Sequence, residues 1–393
     1  MLETLATCGL DDLEPVLHET LLTDRRSVIL GGLSVLASPA FAATSRFDAV
    51  VSKDRTGPAG VPRFSSLGQA IDAAPATASS YRIWLGKGRW QERATIRRQG
   101  VHIIGRGKAL TELQAATAAG NIAADGKPYG TFRTATLAIE APDCHLTGLT
   151  IANSFDAPAE MRRPGGWLAD EGGGQQAIAL SLSPGADRTV VSDCAITGHQ
   201  DTLYCASNRA LFTSCLISGS YDFVFGGAAA RFERCVILSR LRITPTEGYV
   251  AAPSTPINQP AGLVFDRCDL TREPGVPDGS VFLGRPWRTS ITIDGRRFGN
   301  PRSVGMAAYL RCRMDAHVAP SGWTRMWYTA ADGNPRAWFE PEQARFSEYR
   351  NRGRGAANPA NGVRRRSTML TPSAAARLTR PAMFGDWTPD AEL

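Results

Sequence analysis

Histidine is scarce in this chain, five in 393 residues, and no two cysteines stand as a Cys-x-x-Cys pair. These shortages argue against a zinc site, and no metal is expected. Apolar runs of 18 residues are also missing, which excludes an ordinary membrane-spanning helix. Charge of one sign is not in large excess either. The formal net charge of +7 is modest for the length and evenly spread. It tolerates a polyanionic ligand but is too weak to imply nucleic acid.

What is present begins with a leader. Asp24-Arg25-Arg26-Ser27 precedes the apolar stretch Val28 to Ala37, and Pro39-Ala40-Phe41-Ala42 supplies a small-residue end. Charged, apolar, small is the order of a secretory signal rather than of a structural helix. The paired arginines and the glycines at 31 and 32 point to the twin-arginine route. The competing reading is a buried N-terminal helix. Residues 1–42 are therefore read as an export signal and 43–393 as one catalytic domain, periplasmic or secreted, with no stable membrane insertion once the signal is removed.

Cys8 falls in the leader, leaving Cys144, Cys194, Cys205, Cys215, Cys235, Cys268 and Cys312. An odd number means that at least one is unpaired or intermolecular. Aligning the chain on cysteine exposes a repeat: TVVSDCAI, ALFTSCLI, ARFERCVI, LVFDRCDL and AAYLRCRM. Three residues before each cysteine stand Val191, Phe212, Phe232, Phe265 and Tyr309; two residues after stand Ile196, Ile217, Ile237, Leu270 and Met314. The intervals are 21, 20, 33 and 44 residues. Each unit is a short strand that cannot bury its own apolar face, so stacked units form a solenoid with one continuous core. A β-sandwich also has regular short strands, but it would not place a cysteine in one register. The cysteines then read as an interior ladder, with a Cys194–Cys215 bridge as the alternative. The segment 64–73 (FSSLGQAIDA) reads as a short amphipathic helix capping one end. After Cys312 the pattern fades into an aromatic, Arg-rich tail that packs outside the coils.

The repeat has a chemical consequence. Asp201 lies seven residues after Cys194, and Asp222 seven after Cys215. Equal offsets in successive coils put both side chains on one face, roughly 4.8 Å apart. Like charges that close split their titrations, giving one protonated acid and one carboxylate. The bland alternative is a pair of solvated turn aspartates. Large apolar neighbours, Leu203-Tyr204 and Phe223-Val224-Phe225, weigh against it, because a desolvated carboxylate needs a partner. Arg285, in Leu283-Gly284-Arg285-Pro286-Trp287, is suited to be that partner.

GHQDTLY, YDFVFG and LGRPW resemble the three signature segments of the pectin methylesterase (pectinesterase) family, and GQQAIAL, GYVAAPST, EYRNRGRGA and FGDWTP resemble further family segments. The likeness runs from about Ala49 to Trp387. It implies an all-β fold, a right-handed single-stranded parallel β-helix, with no metal or organic cofactor. It implies hydrolysis of methyl esters of homogalacturonan, with pectin as polysaccharide partner. By the same resemblance Asp222 is the nucleophile and Asp201 the acid/base. Gln176 and Gln200 are the oxyanion donors, and Arg285 is the partner of Asp222. Trp287, Tyr204 and Phe225 are expected to line the sugar groove, with Tyr221, Thr131, Arg240 and Met314 as further contacts.

The chain departs from that pattern at His199, where an aromatic residue is usual, and at Tyr221, where a small β-branched one is. His199 reads as a wall residue, and Tyr221 as narrowing a subsite or stacking on a sugar. The segment 154–174 reads as a groove wall. Other enzymatic readings are an ester or thioester hydrolase of another acyl group and a retaining glycoside hydrolase, since closely spaced carboxyls serve both. A non-catalytic polysaccharide-binding solenoid is the reading from another class; it would be marked by loss of Asp201, Asp222 or Arg285. A capped solenoid has no need to associate, so a monomer is expected.

Overall fold

The computed structural model describes residues 46–77, 79–162, 174–242, 247–358, 360 and 365–389. The expected export signal, residues 1–42, and most of the 154–174 wall lie outside them.

Successive coils give short strands to three parallel sheets, of twelve, eight and seven strands among the described residues, and the central coils contribute one to each. One coil contributes Thr189–Ser192, Ala195–Thr197 and Leu203–Cys205; the next contributes Arg209–Thr213, Leu216–Gly219 and Tyr221–Gly226. This is a parallel β-helix. Its register is the one the repeat implies: Val191 pairs with Phe212, Phe212 with Phe232, Phe232 with Phe265, and Phe265 with Tyr309. From Phe212 to Tyr309 the rings stack with centroids 4.7, 4.6 and 4.5 Å apart. The second apolar column, Ile196 to Met314, runs down the eight-stranded sheet in the same way.

A sharp corner joins the first two sheets, and it explains the cysteines. The residue before each is left-handed: Asp193, Ser214, Arg234, Arg267 and Arg311 have φ of 46–55°. The turn aims the following side chain inward, where the thiols of Cys215, Cys235, Cys268 and Cys312 each reach a carbonyl of the preceding coil. Cys215 Sγ lies 3.4 Å from Val191 O, and Cys268 Sγ 3.4 Å from Phe232 O. A small, weak donor suits that place, and all seven described cysteines are free and buried. The Cys194–Cys215 bridge is not formed.

The solenoid continues past the point where the cysteine pattern stops. Arg345–Tyr349 pairs with Met306–Leu310 as another rung, and Phe346 stacks on buried Trp323 with centroids 4.1 Å apart. Asn351 follows left-handed Arg350 in the cysteine's place and accepts from Cys312 N at 2.9 Å, so a search keyed on cysteine misses this coil. Other parts of the tail lie outside the rungs: 326–339 forms a separate antiparallel hairpin, and Leu378, Met383 and Phe384 cover Leu211, Val264 and Leu310 on the outer face.

Near the N-terminus, Leu67–Asp72 is helical, with Ser66 Oγ accepting from Gln69 N at 3.2 Å and with Leu67, Ala70 and Ile71 buried. Because stability in a solenoid is a sum of rung and interface contributions, the stacked column is its most sensitive line. Phe232→Ala, between two stacked rings, is expected to cost about 3–5 kcal/mol, read as a lower denaturant midpoint. An unchanged midpoint would show that the stack contributes nothing.

Candidate active site

Gln176, Gln200 and Tyr221 are bridged side by side across three coils. The offset between the last two coils is the same on either side of the aspartates, Gln200 opposite Tyr221 and Leu203 opposite Val224, which sets Asp201 opposite Asp222. Both aspartates take left-handed backbone, φ 61° and 48°. Non-glycine residues adopt this conformation when the surroundings over-determine it, and such strain gathers at functional sites. Here the amide of Asp201 donates to Tyr221 O at 3.1 Å, fixing one aspartate to the coil of the other. Gly226 ends the strand that carries Asp222 with φ 121°; a Cβ there would stand 1.9 Å from Cys205 O, so no other residue fits.

The two carboxyls are buried, 9% and 6% exposed, but their surroundings differ. Asp222 receives a bidentate guanidinium: Arg285 Nε at 2.9 Å from Oδ1 and Nη2 at 2.6 Å from Oδ2. Asp201 has no such partner. Burial first, and then the Asp222 charge, push its pKa well above the carboxylate range, only partly offset by Arg285 and a hydrogen bond from Gln200. Arg285 is itself clamped between two tyrosine rings, 4.5 Å from the Tyr221 centroid and 4.1 Å from that of Tyr249. Tyr221 also lies 4.1 Å under Arg242. Its ring thus contacts two cations of the site while also lining the cavity. Gln176 Oε1 accepts from Gly174 N at 2.9 Å, which leaves its NH2 to donate.

These groups open onto a cavity of about 1070 Å³ whose lining includes Thr131, Gln176, Gln200, Tyr221, Phe225 and Trp287. Tyr204 stands behind Phe225, ring centroids 4.8 Å apart, and supports that wall. Two expected contacts lie elsewhere. Met314 is fully buried as the last residue of the second apolar column, because its side chain follows the inward register of Leu270. Arg240 turns away to Glu273 (3.0 Å) and Gly198 O (3.0 Å). With His199 it lines a separate cavity of about 470 Å³. His199 is a wall residue of that second cavity, its pKa lowered to about 4 by burial and by Arg240.

Several lining residues carry no signal in the repeat: Arg242, Arg288, Arg297, Trp327 and Tyr328. Most come from hairpins 290–299 and 326–339, which lie outside the three-sheet pattern. The first hairpin was readable from Asp294-Gly295, whose φ of 50° and 73° suit a tight two-residue turn. Its position over the groove was not.

The pectinesterase family model matches residues 48–383. The chain belongs to the pectinesterase family. It is 36% identical to pectinesterase A of Dickeya dadantii (strain 3937), over 88% of this chain and 93% of the relative. A crystal structure of pectin methylesterase in complex with a hexasaccharide is also 36% identical, with a TM-score of 0.81, covering 88% of this chain and 99% of that one. Pectin methylesterase from Yersinia enterocolitica is 34% identical with a TM-score of 0.77, covering 83% and 100%. This pectinesterase is therefore a carboxylic ester hydrolase, which answers the glycoside-hydrolase and binding-solenoid alternatives, and Asp201, Asp222 and Arg285 are all present in it.

Proposed function

We propose that this pectinesterase hydrolyses methyl esters of homogalacturonan, releasing methanol and leaving free galacturonate carboxylates. The observation that carries the reading is the unequal treatment of two adjacent aspartates, one held by Arg285 and the other with its pKa pushed well above the carboxylate range, first by burial. A carboxylate of Asp222 attacks the ester carbonyl. The amides of Gln176 and Gln200 donate to the resulting oxyanion. As the intermediate collapses, the bond to the methoxy oxygen breaks, Asp201 gives that oxygen its proton, and methanol leaves an acyl-Asp222 anhydride. Asp201, now ionised, takes a proton from water. The hydroxide adds to the acyl carbon, and Asp222 leaves as carboxylate. Phe225 and Trp287 supply apolar faces for sugar rings.

The test is methanol release from highly methylated pectin by the exported protein. Methanol in excess of a buffer blank supports the reading; none, from a chain whose circular dichroism is intact, overturns it. Arg285→Lys is expected to lower turnover about 100-fold, since a point cation cannot hold both carboxylate oxygens and the nucleophile drifts from its line of attack. Wild-type turnover in that variant would show that the planar fork is dispensable.

The same reading extends to the rest of the chain. Residues 1–42 direct export to the periplasm or medium, 43–393 act as one catalytic domain, and the protein works as a monomer. The helix Leu67–Asp72 caps a right-handed solenoid, supported by its buried face of Leu67, Ala70 and Ile71 and by the hand that parallel crossovers take.

A further inference from the structure

Hairpin 326–339 has two unlike faces. On one, Tyr328 and Phe339 pack against Arg288, whose guanidinium lies 4.9 and 4.1 Å from their ring centroids, and Phe339 is buried. This face anchors the hairpin. On the other, Trp327 stands directly opposite Trp338, and both rings are open, 53% and 47% exposed. Cross-strand neighbours of this kind have Cβ atoms roughly 5 Å apart, so the two indoles share one exposed face of the hairpin. They fill no core, and paired exposed tryptophans are a solubility liability unless something covers them.

Their surroundings say what would. Arg336 lies over Trp327 at 5.8 Å and Arg325 over Trp338 at 3.9 Å. Arg325 is partly neutralised by Glu340 at 3.3 Å. Arg336, and Arg297 on the neighbouring hairpin, have no acidic partner among the described residues. Both are exposed. Trp327 and Arg297 also line the catalytic cavity, so this surface is continuous with the groove. An aromatic face bordered by unpaired guanidinium groups suits a polymer of pyranose rings bearing carboxylates: rings stack on indole, and carboxylates pair with arginine.

We infer that Trp327, Trp338, Arg336 and Arg297 form an accessory platform that binds unesterified galacturonan continuing out of the catalytic groove. This rests on the esterase reading above. A methyl ester is neutral and offers the arginines only a weaker carbonyl acceptor, whereas each hydrolysed unit gains a charge. The platform therefore selects product, and it keeps a chain that has already been partly de-esterified engaged for the next ester.

The experiment measures the affinity of the exported enzyme for unesterified polygalacturonate at fixed ionic strength. Trp338→Ala is expected to weaken binding about fivefold to tenfold, and Trp338→Phe to recover most of the loss. Arg336→Ala should weaken binding and flatten its dependence on salt. For a short methylated oligosaccharide confined to the groove, kcat/KM should stay within about twofold of wild type in all three. Polygalacturonate affinity unchanged in both alanine variants would overturn the platform, as would equally tight binding of a fully methylated polymer. Methanol release by the wild type, scored separately, tests the esterase reading itself: methanol without polygalacturonate affinity sinks the platform alone.

Discussion

Asp222→Asn is expected to lower methanol release from methylated pectin by at least about 10⁴-fold in kcat, while the chain stays folded. An amide of nearly the same shape occupies the same left-handed turn, opposite Asp201, but it lacks the charge and lone-pair strength to attack an ester. Arg285 then loses half of a bidentate pair with Nε and Nη2 contacts of 2.9 and 2.6 Å. The guanidinium keeps its contacts with Tyr221 and Tyr249 and one acceptor on the new amide. A stability loss of about 1–3 kcal/mol is expected, measurable in denaturant but short of unfolding. Loss of the Asp222 charge also removes the second cause of the raised pKa of Asp201, leaving burial as the first. The decisive measurement pairs methanol release with circular dichroism on the same preparation. A folded variant with wild-type turnover would move the nucleophile elsewhere.

The column from Val191 to Tyr309 was legible because a solenoid shows its register in sequence: one residue per coil, at a fixed distance from a marker cysteine. The aspartate pair followed from the same arithmetic, since residues at equal offsets in adjacent coils must be neighbours. What the repeat does not carry is the direction of a side chain at the edge of that frame. Met314 stood both in the apolar column and among the sugar contacts, and the inward register of the strand decides for the core. Arg240 turns to Glu273 for an ion pair that lies 33 residues away in sequence. The cations over the Tyr221 ring were not legible either, because Arg285 and Arg242 arrive from other coils. The hairpins bearing Arg297 and Trp327 obey only local rules, so their turns can be read but not the wall they build.

Asp201→Asn is expected to lower kcat by roughly 10²–10⁴-fold, because the departing methoxy oxygen loses its proton donor and the later water loses its base. The two variants are separable by pH. In the wild type, turnover needs Asp201 protonated at the first step, so the rate falls as pH rises through its raised pKa; the residual rate of Asp201→Asn lacks that falling limb. Stability supplies an independent sign. Unfolded, Asp201 titrates near 3.8, whereas folded it titrates well above. Its protonated form therefore favours the fold, with a contribution fully present below the unfolded value and lost as pH rises through the folded one. Asparagine imitates the neutral acid and carries no such dependence. At alkaline pH the variant should accordingly melt higher than wild type while turning over far more slowly, the exchange of stability for function common at active sites. Should it melt lower there, with its rate still falling across the same pH range, Asp201 is neither the proton donor nor the group that burial holds neutral.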